Sequence, residues 1–571
     1  MKNKKVAEML DQIADLLEFH GQVVFKINAY RKASRVISEM TEDLEQVWKQ
    51  GRLAEIPGVG KGLQAHIDEF FKTGDIRQRQ ELLDQSPREL FDLLAVQNFG
   101  PKTAALAFRE LGVQSLADLQ QVIDDGRLAE LPGMGEKRVA NIRKGLQTLQ
   151  TAGERVSIGV ATPLCQTVMD YLREQSEAQL GRLSPAGSLR RGKESVHDID
   201  LVAETENGAN LIQRFVSMPG VTRILGAGDT KGSILFNDRI QIDLRAVPPS
   251  SYGAALQYFT GSKEHNVRLR EIARAAGYKI NEYGIFQAEK NVGGRREEEI
   301  YEALGMSWIP PELREDRGEI ESALQGKLPE LITFEDMKAE LHVHSAYSDG
   351  QLTLEEMARH VADMGYDYMS FCDHSQSARY ANGMEIPRLK EQMDAIRRLN
   401  KKMAPFTVLC GVEVDIRADG SLDYSDEVLA ELDFVVASIH SAFKTDPTER
   451  TIQAMRNPYV DVIGHPTGRL ISRREGFAID LNRILQVGAE TGTALEINSY
   501  WDRLDLGDIN ARAAVQAGVK LSINTDAHSP EHLAMVHFGI ATARRGWVRK
   551  EDVINCLPLS RFKKWQKRSR L

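Results

Sequence analysis

The sequence is poor in cysteine, in long apolar runs and in positive charge, and each shortage removes a class of function. Its four cysteines, Cys165, Cys372, Cys410 and Cys556, are scattered with no Cys-x-x-Cys among them. That argues against a disulfide framework and fits a reducing cytoplasm, with Cys372 and Cys410 serving as small buried apolar residues. No apolar stretch approaches the length of a membrane span. The amino terminus, MKNKKVAEMLDQIADLLEFH, reads as an amphipathic helix broken by acids rather than a secretory signal. With 73 basic and 82 acidic residues the net charge is −9, so any nucleic-acid binding must rest on local features. The basic last eleven residues, RFKKWQKRSRL, read as a solvated tail. At 571 residues, 42% hydrophobic and 27% charged, the chain is expected to be globular, with about three to five domains.

What is abundant is histidine and acid at the ends of apolar runs between 340 and 530. The runs are KAELHVHSAYSDG, YDYMSFCDHS, FTVLCGVEVDI, LDFVVASIHS, VDVIGHPTG and KLSINTDAHS; a further run, TALEINSY, carries Glu496 in the same style. They end in His342, His344, Asp349, His374, Glu413, His440, His465, Asp526 and His528, which include six of the thirteen histidines. Helix-like segments alternate with the runs, which predicts a parallel sheet closed into a barrel with its chemistry at the carboxyl ends of the strands. Nine ligands exceed the needs of one tetrahedral zinc, so two or three ions sharing a carboxylate are expected, with Glu413 as the bridge. Mixed imidazole and carboxylate ligation suits manganese, zinc or iron. Ions so close together can clamp both oxygens of a phosphate ester, which points to phosphoester hydrolysis.

Before residue 150 one pattern recurs: LAEIPGVGKGLQAHIDEF (53–70), VQNFGPKTAALAFREL (96–111) and LAELPGMGEKRVANIRKGL (128–146). Glycines at 58, 60, 100, 133 and 135 permit tight turns and expose backbone N–H groups at helix starts, beside Lys61, Lys102 and Lys137. Such amides hold nucleic-acid phosphates without reading bases. The segments resemble the helix-hairpin-helix motif, which binds DNA backbones.

In the centre, GSLRRGKESVHDIDLV (187–202) places Asp198 and Asp200 on one face of a strand, and RIQIDLRAV (239–247) offers Asp243. Three converging carboxylates can hold two magnesium or manganese ions for nucleotidyl transfer. Gly187 and Ser188 open a helix from which backbone amides and Arg191 could grip a triphosphate.

YFTGSKEHNVRLR (258–270), together with the Asp-x-Asp strand, resembles the DNA polymerase beta-like family X. INAYRKASRVI (27–37) matches the small amino-terminal domain of that family. The resemblance implies that Tyr258 and Phe259 face the incoming nucleotide, Asn266 the base edge or sugar in the minor groove, and Arg270 the template. His-Val-His at 342–344, Ser-Asp-Gly at 348–350, Asp-His at 373–374, Glu413, His440, His465 and Asp-Ala-His at 526–528 resemble the PHP (polymerase and histidinol phosphatase) family. That resemblance implies one ion on His342, His344, Glu413 and Asp526, a second on Glu413, His440 and His465, and a third on Asp349, His374 and His528.

The whole order resembles the bacterial fusion of a family X polymerase to a PHP domain. It implies a multidomain α plus α/β protein with helical helix-hairpin-helix domains at 1–80 and 81–155. A nucleotidyltransferase palm with a mixed sheet (156–247) and a nucleotide-selecting subdomain (248–313) follow. A linker, read as helix plus tether (314–337), leads to a distorted (β/α)7 PHP barrel (338–571). The expected function is filling of short gaps in DNA repair from dNTPs on gapped or primer-template DNA. Manganese-dependent 3′–5′ exonuclease, abasic-site or 3′-end cleavage is expected from the barrel. The expected setting is a monomer in the bacterial cytoplasm at the nucleoid. The alternative is a template-independent nucleotidyltransferase fused to a small-molecule phosphatase, since both folds host those activities.

The sequence departs from the family X pattern in two places. His66 stands where the animal repair polymerase has its Schiff-base lysine, and Gly62 replaces a second lysine; histidine cannot form that imine, so deoxyribose-phosphate lyase activity is not expected, and neither Lys26 nor Lys61 is expected to substitute. Gln241 stands where an arginine braces the third aspartate, which predicts a less positive field around Asp243.

Overall fold

A computed structural model describes residues 2–39, 44–87, 89–96, 98–176 and 180–570. The chain falls into two compact units, Met1–Glu154 and Arg155–Leu571.

The described part of the first unit is helical. Helix α1 (Lys2–Phe19) carries Val6, Leu10, Ile13 and Leu17 at helical spacing, and this stripe packs against Ile27, Ala33 and Ile37 of α2 (Val24–Glu39). The three glycine segments each turn into a helix: α3 (Lys61–Thr73), α4 (Pro101–Leu111) and α5 (Glu136–Glu154). One apolar residue in each turn, Val59, Phe99 and Met134, is buried and pins it to the core. Gly58 and Gly133 take φ of +84° and +76°, a backbone region closed to most side chains. Gln97, within the second segment, lies outside the described residues.

The second unit opens with a sheet of β1 (Leu183–Pro185), β2 (Asp198–Glu204), β3 (Val221–Ala227), β4 (Lys231–Phe236) and β5 (Ile240–Val247), in the order β1-β2-β5-β4-β3. Only β2 and β5 pair in parallel, giving the mixed sheet. Ile199, Leu201, Ile242 and Leu244 point into a core completed by Leu211, Ile212 and Phe215, which turns the alternate residues of β2 and β5 the other way. Helix α6 (Gly187–Arg190) lies beside β2, and α7 (Tyr252–Thr260) and α8 (Lys263–Ala275) follow the sheet.

Residues 314–337 include helix α9 (Glu319–Leu324) but are no loose tether. Arg314 is entirely buried, with Nη1 2.7 Å from Glu297 Oε1. Glu319 receives His265 Nδ1 at 2.7 Å, and Ile332 and Met337 join the core of the barrel.

That barrel has seven parallel strands in chain order: β6 (Ala339–Val343), β7 (Tyr368–Phe371), β8 (Thr407–Asp415), β9 (Phe434–Ser438), β10 (Val462–Ile463), β11 (Ala494–Asn498) and β12 (Leu521–Asn524). A bridge between Val343 and Ala527, with His344 N donating to Ala527 O at 2.9 Å, brings the first and last strands together. The near-continuous apolar runs follow from burial of both strand faces. Barrel and palm share packing. Leu504 lies in the palm core, and a Cβ on Gly159 would stand 2.3 Å from Trp501 Cγ.

The carboxy-terminal segment is not a solvated tail. It forms a helix, Leu559–Trp565, whose Phe562 packs on Tyr368 and Phe434. Lys567 Nζ donates to Met455 O, Asn457 O and Thr493 Oγ1 at 2.7–3.0 Å, and Arg568 pairs with buried Asp461 at 2.8 Å. Basic residues near a terminus read as solvated from composition; here backbone carbonyls and Asp461 take the charge of Lys567 and Arg568, while Arg561, Lys563 and Lys564 stay exposed. Leu571 lies outside the described residues.

Candidate active sites

The palm site follows from strand register. Asp200 lies directly opposite Asp243 on the parallel neighbours β2 and β5, and Asp198 opposite Gln241. All four share the face away from the core, half-buried. A Cβ on Gly187, at φ +59°, would sit 2.2 Å from Asp200 Oδ2, so only glycine lets α6 approach that carboxylate. Ala186 N donates to Asp200 O at 2.8 Å and fixes the approach. Burial, then Asp198 and Asp243, push the Asp200 carboxyl up to about 7. Burial and Asp243 push Asp198 up as well. Three crowded carboxylates that resist ionising together are the donor set a divalent cation pair relieves.

The field at Asp243 differs from expectation. Gln241 Nε2 donates to Asp243 Oδ1 at 2.9 Å, and Lys231 Nζ, reaching from β4, lies 3.0 Å from Oδ2. Burial raises this carboxyl, but hydrogen bonds from Gln241, Lys231 and Ser233 outweigh it and hold it below the ordinary range. The positive charge missing at 241 is supplied from the adjacent strand.

Around the site, Tyr258 and Phe259 meet edge to face at 5.2 Å, and Arg245 covers Phe259 at 4.8 Å. Asn266 Nδ2 donates to Tyr258 O and its Oδ1 accepts from Gln257, both at 2.7 Å. Arg270 is exposed on α8, its Nε donating to Asn266 O. Ser188 is half-buried in α6. The Arg191 guanidinium pairs with Glu315 at 3.1 Å and donates to Thr260 O. In the helical unit, Gly60 and Gly100 stand extended before α3 and α4 with no side-chain cap, and Lys61 and Lys102 are exposed beside them; α4 begins with Pro101, which has no N–H, and Thr103 N donates to Gly100 O. Gly135 and Lys137 are likewise exposed at the start of α5.

In the barrel all nine expected ligands converge at one end. Glu413, on β8, is the hub: its oxygens lie 3.6 Å from His342 Nε2, 3.8 Å from His344 Nε2, 2.9 Å from His374 Nδ1, 3.4 Å from His440 Nε2 and 3.1 Å from His465 Nε2. Asp349 lies 3.2 Å from His528 Nε2 and 3.7 Å from both His344 and His374. Three groups can each surround an ion: His344, Asp349, His374 and His528; His342, His344 and Asp526; His374, Glu413 and His440. His344 and His374 are thus shared more widely than the resemblance implied.

The donor chemistry fits cations. His344 Nδ1, His374 Nδ1, His465 Nδ1 and Glu413 Oε2 are buried without hydrogen-bond partners, although His374 Nδ1 and Glu413 Oε2 are 2.9 Å apart. Burial would raise Glu413, but His440, His374 and His342 hold it well below the usual range. Burial would lower His440 and His528, yet Glu413 and Asp415 push His440 to about 10, and Asp349 and Asp526 push His528 to about 9. Buried carboxylates here demand positive charge, which protons or metal ions can supply.

Comparison with known proteins agrees with this geometry. Family models match as a helix-hairpin-helix domain at 1–76, a SAM-like helix-hairpin-helix tandem at 89–148, a DNA polymerase beta thumb at 255–315 and a PHP domain at 340–500. The DNA polymerase/3′-5′ exonuclease PolX of Bacillus subtilis (strain 168) is 36% identical over 100% of both chains. This chain belongs to the PolX family. DNA polymerase lambda of Arabidopsis thaliana is 24% identical over 55% of this chain and 62% of its own. A probable phosphatase of Thermoanaerobacter sp. (strain X514) is 28% identical over 38% of this chain and 88% of its own.

Several residues that serve this PolX barrel were given no role in the sequence reading. Glu496, noted there only as a further strand-end acid, receives His342 Nδ1 at 2.7 Å and His465 N at 2.8 Å and so orients ligands. Asp415 receives His440 Nδ1 at 2.7 Å; it stands two residues after Glu413, on the same strand face, and alternation alone could have found it. Asp373 accepts from Ser345 N and Oγ and from Ser348 N and Oγ, pinning the loop that presents Asp349. His465 and Asp526 hold φ of +26° and +53°, strained values that the packing around the ligands maintains.

Proposed function

We propose that this chain is a DNA-templated polymerase that fills short gaps from dNTPs at Asp198, Asp200 and Asp243, and trims 3′ ends in its barrel. The convergence of two separate ligand sets, one on β2 and β5 and the other around Glu413, carries the reading. Divalent cations, magnesium or manganese in the palm and two or three manganese or zinc ions in the barrel, would supply charge neutralisation and Lewis acidity when bound.

The chain's own residues do the rest. Gln241 and Lys231 keep Asp243 ionised and fixed, and Gly187 allows α6 to close on Asp200. Tyr258, Phe259 and Asn266 form the wall against which the incoming nucleotide would rest, with Ser188 and Arg191 toward its triphosphate and Arg270 toward the template. In the barrel, Glu496 and Asp415 fix His342 and His440 in the tautomers whose outer nitrogens face Glu413.

The domain division we propose gives DNA-backbone binding to the helical segments 1–80 and 81–155, through the amides at Gly58, Gly60, Gly100, Gly133 and Gly135. Nucleotidyl transfer falls to 156–313 and hydrolysis to 338–571, with the packed segment 314–337 joining them. No described helix is long and apolar enough to cross a membrane, and we place the protein as a monomer at the bacterial nucleoid. The template-independent alternative is not favoured, because similarity to PolX spans the whole chain, helical region included. Extension on one-nucleotide-gapped DNA, with and without the template base, tests the reading. Template-directed incorporation with magnesium or manganese supports it, and no incorporation with either refutes it.

A further inference from the structure

Three loops that leave the barrel's ligand strands carry aromatic side chains that the hydrolytic chemistry does not use. Tyr380, six residues after His374, is 51% exposed, and its ring centre stands 6.2 Å from that of His374 and 6.3 Å from that of His440. Phe443, three residues after His440, is 42% exposed and stacks on Phe477 at 5.6 Å with planes 10° apart. Arg474 lies over Phe443 at 4.7 Å, its Nε and Nη2 held by Gly468 O. Gly468, at φ +60°, leaves the space Phe477 needs: a Cβ there would meet its ring at 2.0 Å. The half-buried Arg503 lies within electrostatic range of both Tyr380 and Arg474.

A large exposed aromatic ring beside a buried, highly polar ligand cluster has no folding benefit to explain it, since half its surface stays in water. Its faces are suited to a planar apolar partner, and the nearby guanidiniums to an anion. Unpaired nucleotides combine the two: every base has a π-face, and the linking phosphate is anionic. A duplex end hides its base faces in the stack, so this rim selects strands whose terminal base is free.

We infer that Tyr380 is a positioning residue that stacks the unpaired terminal base of a DNA 3′ end, with Arg503 on the adjoining phosphate and the Phe443–Arg474 pair, on the loop after His440, as a second aromatic contact. This rests on the hydrolytic reading of the barrel given above. Stacking on Tyr380 would hold the last phosphodiester over Glu413 and its histidines. The ring, not the hydroxyl, is the working part.

The test uses the full-length protein with manganese and two single-stranded oligonucleotides, one with an ordinary 3′-terminal nucleotide and one whose terminal nucleotide is abasic. The native protein should digest the ordinary end with a KM roughly tenfold lower, the loss of one base stack. Tyr380→Ala should erase that preference by raising KM for the ordinary end, while Tyr380→Phe should retain it; unfolding midpoints check that each variant is folded. A preference that survives Tyr380→Ala overturns the proposal, and so does loss of preference in Tyr380→Phe equal to that in Tyr380→Ala. Failure of the hydrolytic reading looks different: no manganese-dependent digestion of either oligonucleotide by the native protein that His344→Ala removes.

Discussion

Asp200 and Asp243 sit at the same register position of two parallel strands, so each carboxylate raises the other's cost of ionising. With Asp200 pushed up to about 7 by burial, Asp198 and Asp243, a cation must displace its proton to bind below that pH. Apparent magnesium affinity of the palm should therefore rise with pH between 6 and 7, by at most about tenfold per unit, and flatten by 8. Extension rates titrated with magnesium at each pH check this; an affinity that does not change with pH in this window contradicts it.

Lys231 replaces the absent arginine at Asp243. Lys231→Met should lower the extension rate at saturating magnesium by about tenfold, because Asp243 then keeps only Gln241 and Ser233 to hold its orientation. Adding Gln241→Arg should recover most of the loss, because the guanidinium then orients that carboxylate from the neighbouring position. The same titration reads both variants.

Glu297 joins Arg190 and Arg314 in a nearly dry ion-pair cluster, with Arg190 bidentate at 2.7 and 2.9 Å. Burial raises this carboxyl, but Arg314 and Arg190 prevail and hold it well below its ordinary 4.5. A depressed folded-state value contributes stability that is fully present above 4.5 and is lost as pH falls through the folded value. Glu297→Gln should cost about 3 kcal/mol in urea unfolding at pH 7, since it strands the buried Arg314 and removes the partner of half-buried Arg190. The variant should also lose less than the native protein on acidification below pH 4.5.

The carboxy-terminal helix is structural. Phe562→Ala should destabilise the protein by about 3 kcal/mol through the cavity it leaves beside Tyr368 and Phe434. It should leave the salt dependence of DNA binding unaltered, which binding measured across salt concentrations would establish.

Much of this was legible in the chain because strand alternation ties chemistry to position. Asp198 and Asp200 share a face once Ile199 and Leu201 are read as core, and strand-end histidines converge in a parallel barrel wherever each strand starts. The glycine turns were legible because φ near +80° leaves few alternatives. What could not be read depends on contacts across the chain. Lys231 reaches Asp243 only through the β4–β5 pairing, and Glu496 reaches His342 across 154 residues. Arg191 pairs with Glu315 from far along the sequence, a contact that nothing local announces. Lys567 and Arg568 carry charge that suggests solvent, and only the packing of Phe562 brings them to carbonyls and Asp461.

The central claim is that two independent ligand clusters act on DNA within one chain. A labelled gapped duplex incubated with the Asp198→Ala, Asp200→Ala double variant and, separately, with His344→Ala tests it most directly. The double variant should shorten the primer without extending it, and His344→Ala should extend without shortening. Loss of both activities together in each variant would contradict the account.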